Sequence, residues 1–193
     1  MKTHPFKPLI FENSRKLLIG TLPPETSPFY FSNSSNTRLW DILKSIHDKN
    51  HMISRNSIML PNEKKINILE SLSLGICDII YKYDRTDFNS TRDKHIIPLQ
   101  YSDIIGLIEN TYINELLFVY KNAANWFLHS ITGADPVQSN KLKSRLKYGT
   151  FKVLTINDKK ITCSLLPSPL NRGKKGESLE YKLDYYRTEI LKK

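Results

Sequence analysis

The chain has 193 residues, of which 39% are hydrophobic and 25% are charged, a balance typical of a soluble globular protein with one domain over residues 1–193. It contains no apolar run near the ~20 residues that span a bilayer, no apolar signal region at the N-terminus, and only two cysteines. We therefore exclude membrane proteins, secreted proteins and proteins with a four-cysteine metal site. We expect a cytoplasmic protein that uses no metal and no cofactor.

The positive charge lies in the last quarter of the chain. The formal net charge is +10; residues 1–139 are close to neutral, whereas residues 140–193 hold 14 Lys and Arg against 5 Asp and Glu. Such a segment attracts polyanions, because Lys and Arg that bind phosphates release counterions. The alternative is a basic helix that only aids solubility. A Pro-Ser-Pro turn and a Gly-Lys-Lys-Gly segment in the same region favour a nucleic-acid partner.

The first half of the chain begins with an apolar run and continues with helical patterns. Residues 16–20 contain a short apolar run, Leu17 to Ile19, and end in glycine, which is typical of a buried parallel strand. Residues 21–36 are rich in Pro, Ser and Asn and predict a loop. Apolar residues between 39 and 46 recur at helical spacing, and residues 63–72 predict a second helix.

The middle of the chain alternates strands and helices. Residues 75–80 and 116–120 predict buried strands. Between them, we expect a polar loop over 81–94 and a helix over 102–110. Another helix is expected over 123–131.

The C-terminal part supplies the fourth strand, over 161–166, which 151–156 can join as a hairpin. Ser178 is a good N-cap for a last helix over 179–192.

Four strands separated by helices predict an α/β fold, a three-layer α/β/α sandwich around a central, mainly parallel four-stranded sheet. Ligands bind beyond the carboxyl ends of the strands in such sheets, so the loops that follow the strands are candidate sites.

Three segments after predicted strands resemble the motifs of the uracil-DNA glycosylase superfamily. Gly20-Thr21-Leu22-Pro23 is similar to the first motif, which reads glycine, variable, acid or amide, proline. Residues 29–43 resemble the aromatic pair and Asn-x-Phe-Trp of the hypoxanthine and mismatch-specific branches. Leu166-Pro167-Ser168-Pro169-Leu170 resembles the second motif, His-Pro-Ser-Pro-Leu. The resemblance spans about residues 16–190 and implies a DNA glycosylase acting on DNA; we expect a monomer.

Two positions depart from the pattern of the superfamily. Leu22 stands where the first motif has its acid or amide, and Leu166 replaces the histidine that stabilises the departing base. The hypoxanthine branch also lacks the first polar group and relies on the asparagine before Phe-Trp, which implies Asn36 as the catalytic residue. Alignment on Trp40 places Thr37 there instead, and a one-residue insertion restores Asn36. The alternative role of Asn36 is to cap the first helix.

The resemblance also implies a pocket for a base flipped out of the DNA stack. Tyr30 or Phe31 would stack on the base, a contact worth ~1–3 kcal/mol, while two of the three rings at 29–31 pack inward. Asn122 can both donate to and accept from the base edge; its alternative role is the N-cap of the next helix. The first motif supplies the other base-binding residues, Gly20, Thr21 and Pro23.

The loop that begins at Pro167 is expected to enter the DNA. Ser168 would bind a phosphate and Leu170 would fill the gap left by the flipped nucleotide; the alternative is an ordinary exposed turn. The DNA-binding residues would be Pro167, Ser168, Pro169, Leu170, Arg172, Lys174 and Lys175.

Within the predicted strand 75–80, Asp78 needs a partner, either loop backbone or an arginine such as Arg85.

The sequence therefore predicts a monofunctional DNA glycosylase that hydrolyses the N-glycosidic bond of a deaminated or mismatched base, hypoxanthine or uracil, and leaves an abasic site. No lysine stands out as a Schiff-base nucleophile, so strand cleavage is not expected. The main alternative is a catalytically silent nucleic-acid-binding module with the same fold, which Leu22 and Leu166 support. A nucleotide-binding α/β enzyme is disfavoured, because no glycine-rich phosphate loop follows the first strand.

Overall fold

Strands and helices alternate along most of the chain. The computed structural model describes residues 1–25, 27–31, 37–50, 52–53, 59–87, 92–133, 146–170 and 177–192. The strands are β1 (Lys2–Thr3), β2 (Lys16–Gly20), β3 (Leu74–Asp78), β4 (Ile80–Arg85), β5 (Ile96–Tyr101), β6 (Glu115–Phe118), β7 (Gly149–Ile156) and β8 (Lys159–Leu165). The helices are α1 (Leu39–His47), α2 (Asn62–Ser71), α3 (Ile104–Glu109), α4 (Lys121–Thr132) and α5 (Leu179–Leu191).

A five-stranded sheet in the order β3-β2-β6-β8-β7 forms the centre of the fold. Its first four strands are parallel to one another, and β7 pairs with β8 as an antiparallel hairpin. The predicted α/β class with a mainly parallel sheet is confirmed. The predicted number of four strands is wrong, because β7, which the sequence offered as a hairpin partner of the fourth strand, is a fifth strand of the sheet.

Helices pack on both faces of this sheet. Leu17 and Ile19 of β2 share a buried cluster with side chains of α3 and α4, whereas Leu18 shares a second cluster with side chains of α1, α2 and α5. Successive side chains of a strand point to opposite faces, so the two clusters lie on opposite sides of β2. Burial on both faces explains why the sequence of β2 contains a continuous apolar run.

A second sheet, of three strands, was not predicted. Its order is β1-β4-β5, and both pairings are antiparallel. The loop expected over 81–94 is therefore wrong for its first part, where β4 lies. β4 alternates buried Tyr83 and Arg85 with partly exposed neighbours, a half-buried pattern that lacks a continuous apolar run. Pro98 is compatible with β5 because β5 is an edge strand of this sheet.

The last helix begins as expected. Ser178 is the N-cap of α5, and its side chain accepts a hydrogen bond from the Tyr181 backbone N–H. Leu183, Tyr186 and Ile190 form the buried face of α5. Among the helices that the structure describes, none is long and apolar enough to cross a membrane.

Candidate active site

The loops singled out in the sequence meet at one edge of the five-stranded sheet. In the parallel register Gly20 lies opposite Asp78, Ile19 opposite Phe118, and Phe118 opposite Leu165. The carboxyl ends of β2, β3, β6 and β8 are therefore level. Segments far apart in sequence, after Gly20, Phe118 and Leu165, start beside one another at this edge, where ligands bind in parallel sheets.

Gly20 allows three segments to approach one another closely. A Cβ at this position would lie 2.1 Å from Asp78 Oδ1 and 2.6 Å from Phe31 Cζ, both far inside normal contact distance. Only glycine fits here without displacing the carboxylate or the ring. Leu22 and Pro23, which follow, are buried, and Leu22 belongs to the same apolar cluster as α4. The first motif therefore presents backbone, and no polar side chain at residue 22, to the site.

Asp78 is buried at this edge and pairs with His4. His4 Nε2 lies 3.0 Å from Asp78 Oδ2, and both side chains are about 95% buried. Burial raises the pKa of Asp78 above its usual range, and the hydrogen bond and charge of His4 offset part of that rise. Both expected partners of the Asp78 side chain, loop backbone and Arg85, are wrong: within the described residues this side chain pairs with His4, and Arg85 Nε lies 3.8 Å from Glu25 Oε1.

The three aromatic residues at 29–31 are all buried, one more than expected. Tyr30 is 1% exposed, and its ring stacks on His4 with a centroid distance of 5.5 Å. The Phe31 ring faces Gly20 and Tyr120, and its backbone has a left-handed φ of 48°. The Trp40 Nε1–H group donates to the Tyr30 and Phe31 carbonyls, which fixes this conformation. The Tyr30 ring contacts His4, whereas the Phe31 ring contacts Gly20 and Tyr120. Phe31 is therefore the aromatic residue nearer the carboxyl edge of the sheet.

Asp93 connects the first motif to the loop after β6. Its Oδ1 accepts a hydrogen bond from the Thr21 hydroxyl at 3.1 Å, and its Oδ2 accepts one from Asn122 Nδ2 at 2.7 Å. Asn122 is the second residue of α4, whose N-cap is Tyr120. The alternative role of Asn122 as an N-cap is therefore wrong, and its amide lies at the sheet edge, where its nitrogen donates to Asp93.

Tyr120 follows β6 at this edge and is close enough to Asp93 and Asp78 for their charges to act on its hydroxyl. Burial, followed by the charges of Asp93 and Asp78, raises the pKa of its hydroxyl far above the usual range, while a hydrogen bond from Thr37 acts in the opposite direction. The phenol is therefore neutral at physiological pH and acts as a hydrogen-bonding group. Thr37, at the alternative alignment position, contacts the site through this hydroxyl.

The loop after β8 is anchored at three of its carbonyl groups. The Pro167 carbonyl accepts from the Tyr186 hydroxyl at 3.0 Å, the Pro169 carbonyl from the Arg38 backbone N–H at 2.8 Å, and the Leu170 carbonyl from Lys182 Nζ at 2.7 Å. Burial of Lys182 lowers the pKa of its amine. These contacts fix the loop against α1 and α5.

Within this anchored loop the side chains divide into buried and exposed ones. Pro167 and Pro169 are buried, and Leu166 is 1% exposed. The Ser168 hydroxyl is buried and has no hydrogen-bond partner in the part of the chain that the structure describes. Leu170, in contrast, is 37% exposed and pairs with Thr37 through an isolated antiparallel bridge.

Several predicted residues lie outside the described ranges: Asn36, Arg172, Lys174 and Lys175. The N-cap of α1 is Arg38, whose side chain makes no capping hydrogen bond. Of the basic residues after 140, some are engaged within the protein: Lys182 with Leu170, and Lys192 in ion pairs with Glu115 and Glu189.

Sequence reasoning missed His4, Asp93 and Tyr120. In the sequence, His4 and Asp93 have mostly polar neighbours, and nothing in the local pattern marks them. The apolar pattern places Tyr120 at the end of a predicted strand, whereas β6 ends at Phe118. Across the ranges that the structure describes, no group of three or more His, Cys, Asp and Glu residues is arranged to hold a metal ion.

Comparisons with known proteins bear on the fold. No protein-family model and no curated protein matches the chain. The solution NMR structure of a "putative uracil DNA glycosylase" from Methanosarcina acetivorans is similar to it, with a TM-score of 0.61 and 18% sequence identity over 97% of this chain and 98% of that chain. The chain has the fold of that protein. The expected uracil-DNA glycosylase fold agrees with this likeness, which at 18% identity concerns the fold alone.

Proposed function

We propose that the chain is a monofunctional DNA glycosylase of the uracil-DNA glycosylase superfamily, nearest the hypoxanthine and mismatch-specific branches. It would remove a deaminated or mismatched base, hypoxanthine or uracil, as the first step of base excision repair. It would act as a single domain and a monomer in the cytoplasm. The observation that carries the proposal is the meeting of the motif segments at one sheet edge: Gly20 against Phe31, Thr21 and Asn122 on Asp93, and Thr37 on Leu170.

The geometry of this edge suits a flipped base. Leu170 is exposed on a loop whose backbone is anchored, so it can enter the duplex without the loop deforming. The Phe31 ring is buried against Gly20, and the Asn122 amide is joined to Thr21 through Asp93, so both lie at this edge. The three DNA-binding residues Arg172, Lys174 and Lys175 follow this loop in sequence and would meet phosphates.

Hydrolysis would then separate the base from the sugar. The bond between C1′ and the base nitrogen breaks through an oxocarbenium-like state, water adds to C1′, and the base leaves with a proton. The amide of Asn36 would orient this water and stabilise developing charge by position, since an amide is too weakly basic to take its proton. We therefore expect a slow enzyme, or one whose substrate base is a good leaving group.

A catalytically silent DNA-binding module is the second candidate. Leu22 and Leu166 are both buried among apolar side chains, so neither motif position supplies a polar group to the site. In this case the same edge would bind DNA without breaking the glycosidic bond.

An excision assay separates the two candidates. Duplexes with a single uracil, hypoxanthine, xanthine or mismatched thymine are incubated with the wild type and with Asn36→Ala, then cleaved with alkali at abasic sites. Asn33→Ala is the matched control, because it removes the same amide from the same polar segment. The proposal predicts excision that is lost in Asn36→Ala and kept in Asn33→Ala. Loss in Thr37→Val but not in Asn36→Ala would move the catalytic role to Thr37, and no excision by the wild type would favour the silent module.

A further inference from the structure

The carboxylate of Asp93 fixes the orientation of the Asn122 amide. A carboxylate has no hydrogen to donate at neutral pH, so the amide group 2.7 Å from Asp93 Oδ2 must be the NH₂ and not the oxygen. Thr21 donates to the other carboxylate oxygen of Asp93 at 3.1 Å, which holds Asp93 itself in place. Asn122 therefore cannot exchange its nitrogen and oxygen without losing this hydrogen bond.

The opposite side of the same amide is available to a ligand. Asn122 is partly exposed, and among the residues that the structure describes nothing donates to its Oδ1 oxygen. Its NH₂ group has two hydrogens, and only one is needed for Asp93. The amide can therefore present one acceptor and one donor, in a fixed order, at the carboxyl edge of the sheet.

We propose that Asp93 is a positioning residue that sets base specificity through Asn122, an inference that rests on the proposed function. Hypoxanthine presents a carbonyl acceptor beside a ring N–H donor, and uracil does the same. Adenine and cytosine present the reverse, an amino donor beside a ring nitrogen acceptor. An amide free to rotate reads both patterns, whereas the amide held by Asp93 pairs only with the lactam bases that deamination produces.

The test measures binding, so that it does not depend on turnover. Duplexes carry one 2′-fluoro nucleotide, in which the electron-withdrawing fluorine suppresses hydrolysis, with either hypoxanthine or adenine as the base. A second pair carries uracil or cytosine. The dissociation constants are measured for the wild type, for Asp93→Asn and for Asp84→Asn, a matched control on the exposed face of β4.

The wild type is expected to bind more tightly to the duplex with the lactam base, either hypoxanthine over adenine or uracil over cytosine. Asp93→Asn keeps the shape of the side chain but can donate as well as accept, so the preference should fall about tenfold, as expected for one well-formed bidentate contact. Asp84→Asn should keep it. A thermal unfolding scan of Asp93→Asn checks that the variant is folded, and Asp93→Ala is measured as a second variant in the same way.

Each outcome bears on one of the two proposals. An unchanged preference in both Asp93 variants, or no preference in the wild type, overturns the role of Asp93. A preference that depends on Asp93 in a protein that excises neither base supports this role and overturns the glycosylase activity instead.

Discussion

Gly20→Ala tests the close packing at the sheet edge. The added Cβ would meet Asp78 Oδ1 at 2.1 Å and the Phe31 ring at 2.6 Å, whereas real Cβ atoms essentially never approach a heavy atom within 3.0 Å. Neither neighbour moves freely, because His4 holds the carboxylate and Trp40 holds the Phe31 carbonyl. Overpacking a buried site lowers the free energy of unfolding by about 1–3 kcal/mol. Because both neighbours are held in place, we expect Gly20→Ala to lower it by about 2–3 kcal/mol.

Urea unfolding at neutral pH measures this loss directly, with Gly75→Ala as the matched control. Gly75 lies in the adjacent strand, and a Cβ there would meet its nearest heavy atoms at 3.0–3.3 Å, so we expect a loss of about 1 kcal/mol or less. In a Phe31→Leu background the loss from Gly20→Ala should shrink, because one of the two clashing groups is gone. Equal losses for the two glycine variants, or strict additivity with Phe31→Leu, would refute the reasoning.

Two further predictions concern groups that hold the site. His4→Ala leaves Asp78 buried without its partner and should destabilise the protein by about 3 kcal/mol or more at neutral pH. Because the folded-state pKa of Asp78 is raised, protonation removes the buried charge, so this penalty should shrink as the pH falls through that pKa; a loss that is constant with pH contradicts the pairing. Tyr186→Phe removes the hydrogen bond to the Pro167 carbonyl and should cost about 0.5–1.5 kcal/mol in thermal or urea unfolding, whereas no measurable change would mean that this bond does not anchor the loop.

The sequence was most informative where strands are buried on both faces. Such strands are largely apolar runs, and β2, β3 and β6 were recognised for that reason. β4 was missed because its inward residues, Tyr83 and Arg85, alternate with polar ones and are themselves partly polar. The edge position of β5 likewise tolerates a proline that argues against a strand.

Partners at the candidate site follow from tertiary structure and not from local pattern. Asp78 was recognised as a buried carboxylate that needs a partner, but His4 lies 74 residues away along the chain. Asp93 binds Thr21 and Asn122 from a 3-10 turn between β4 and β5, and those two strands were not predicted as a pair. The loops were identified from motifs; the side chains that join them depend on a sheet that the sequence did not reveal.

The release of a free base is the most direct test of the proposed glycosylase. The wild type in excess is incubated with a duplex that carries one hypoxanthine or one uracil, and the released base is identified by mass spectrometry. We expect free base to accumulate while the DNA strand stays intact, and the strand to break at that position only after alkali. Salt-sensitive binding to the same duplexes with no base released from either would contradict it.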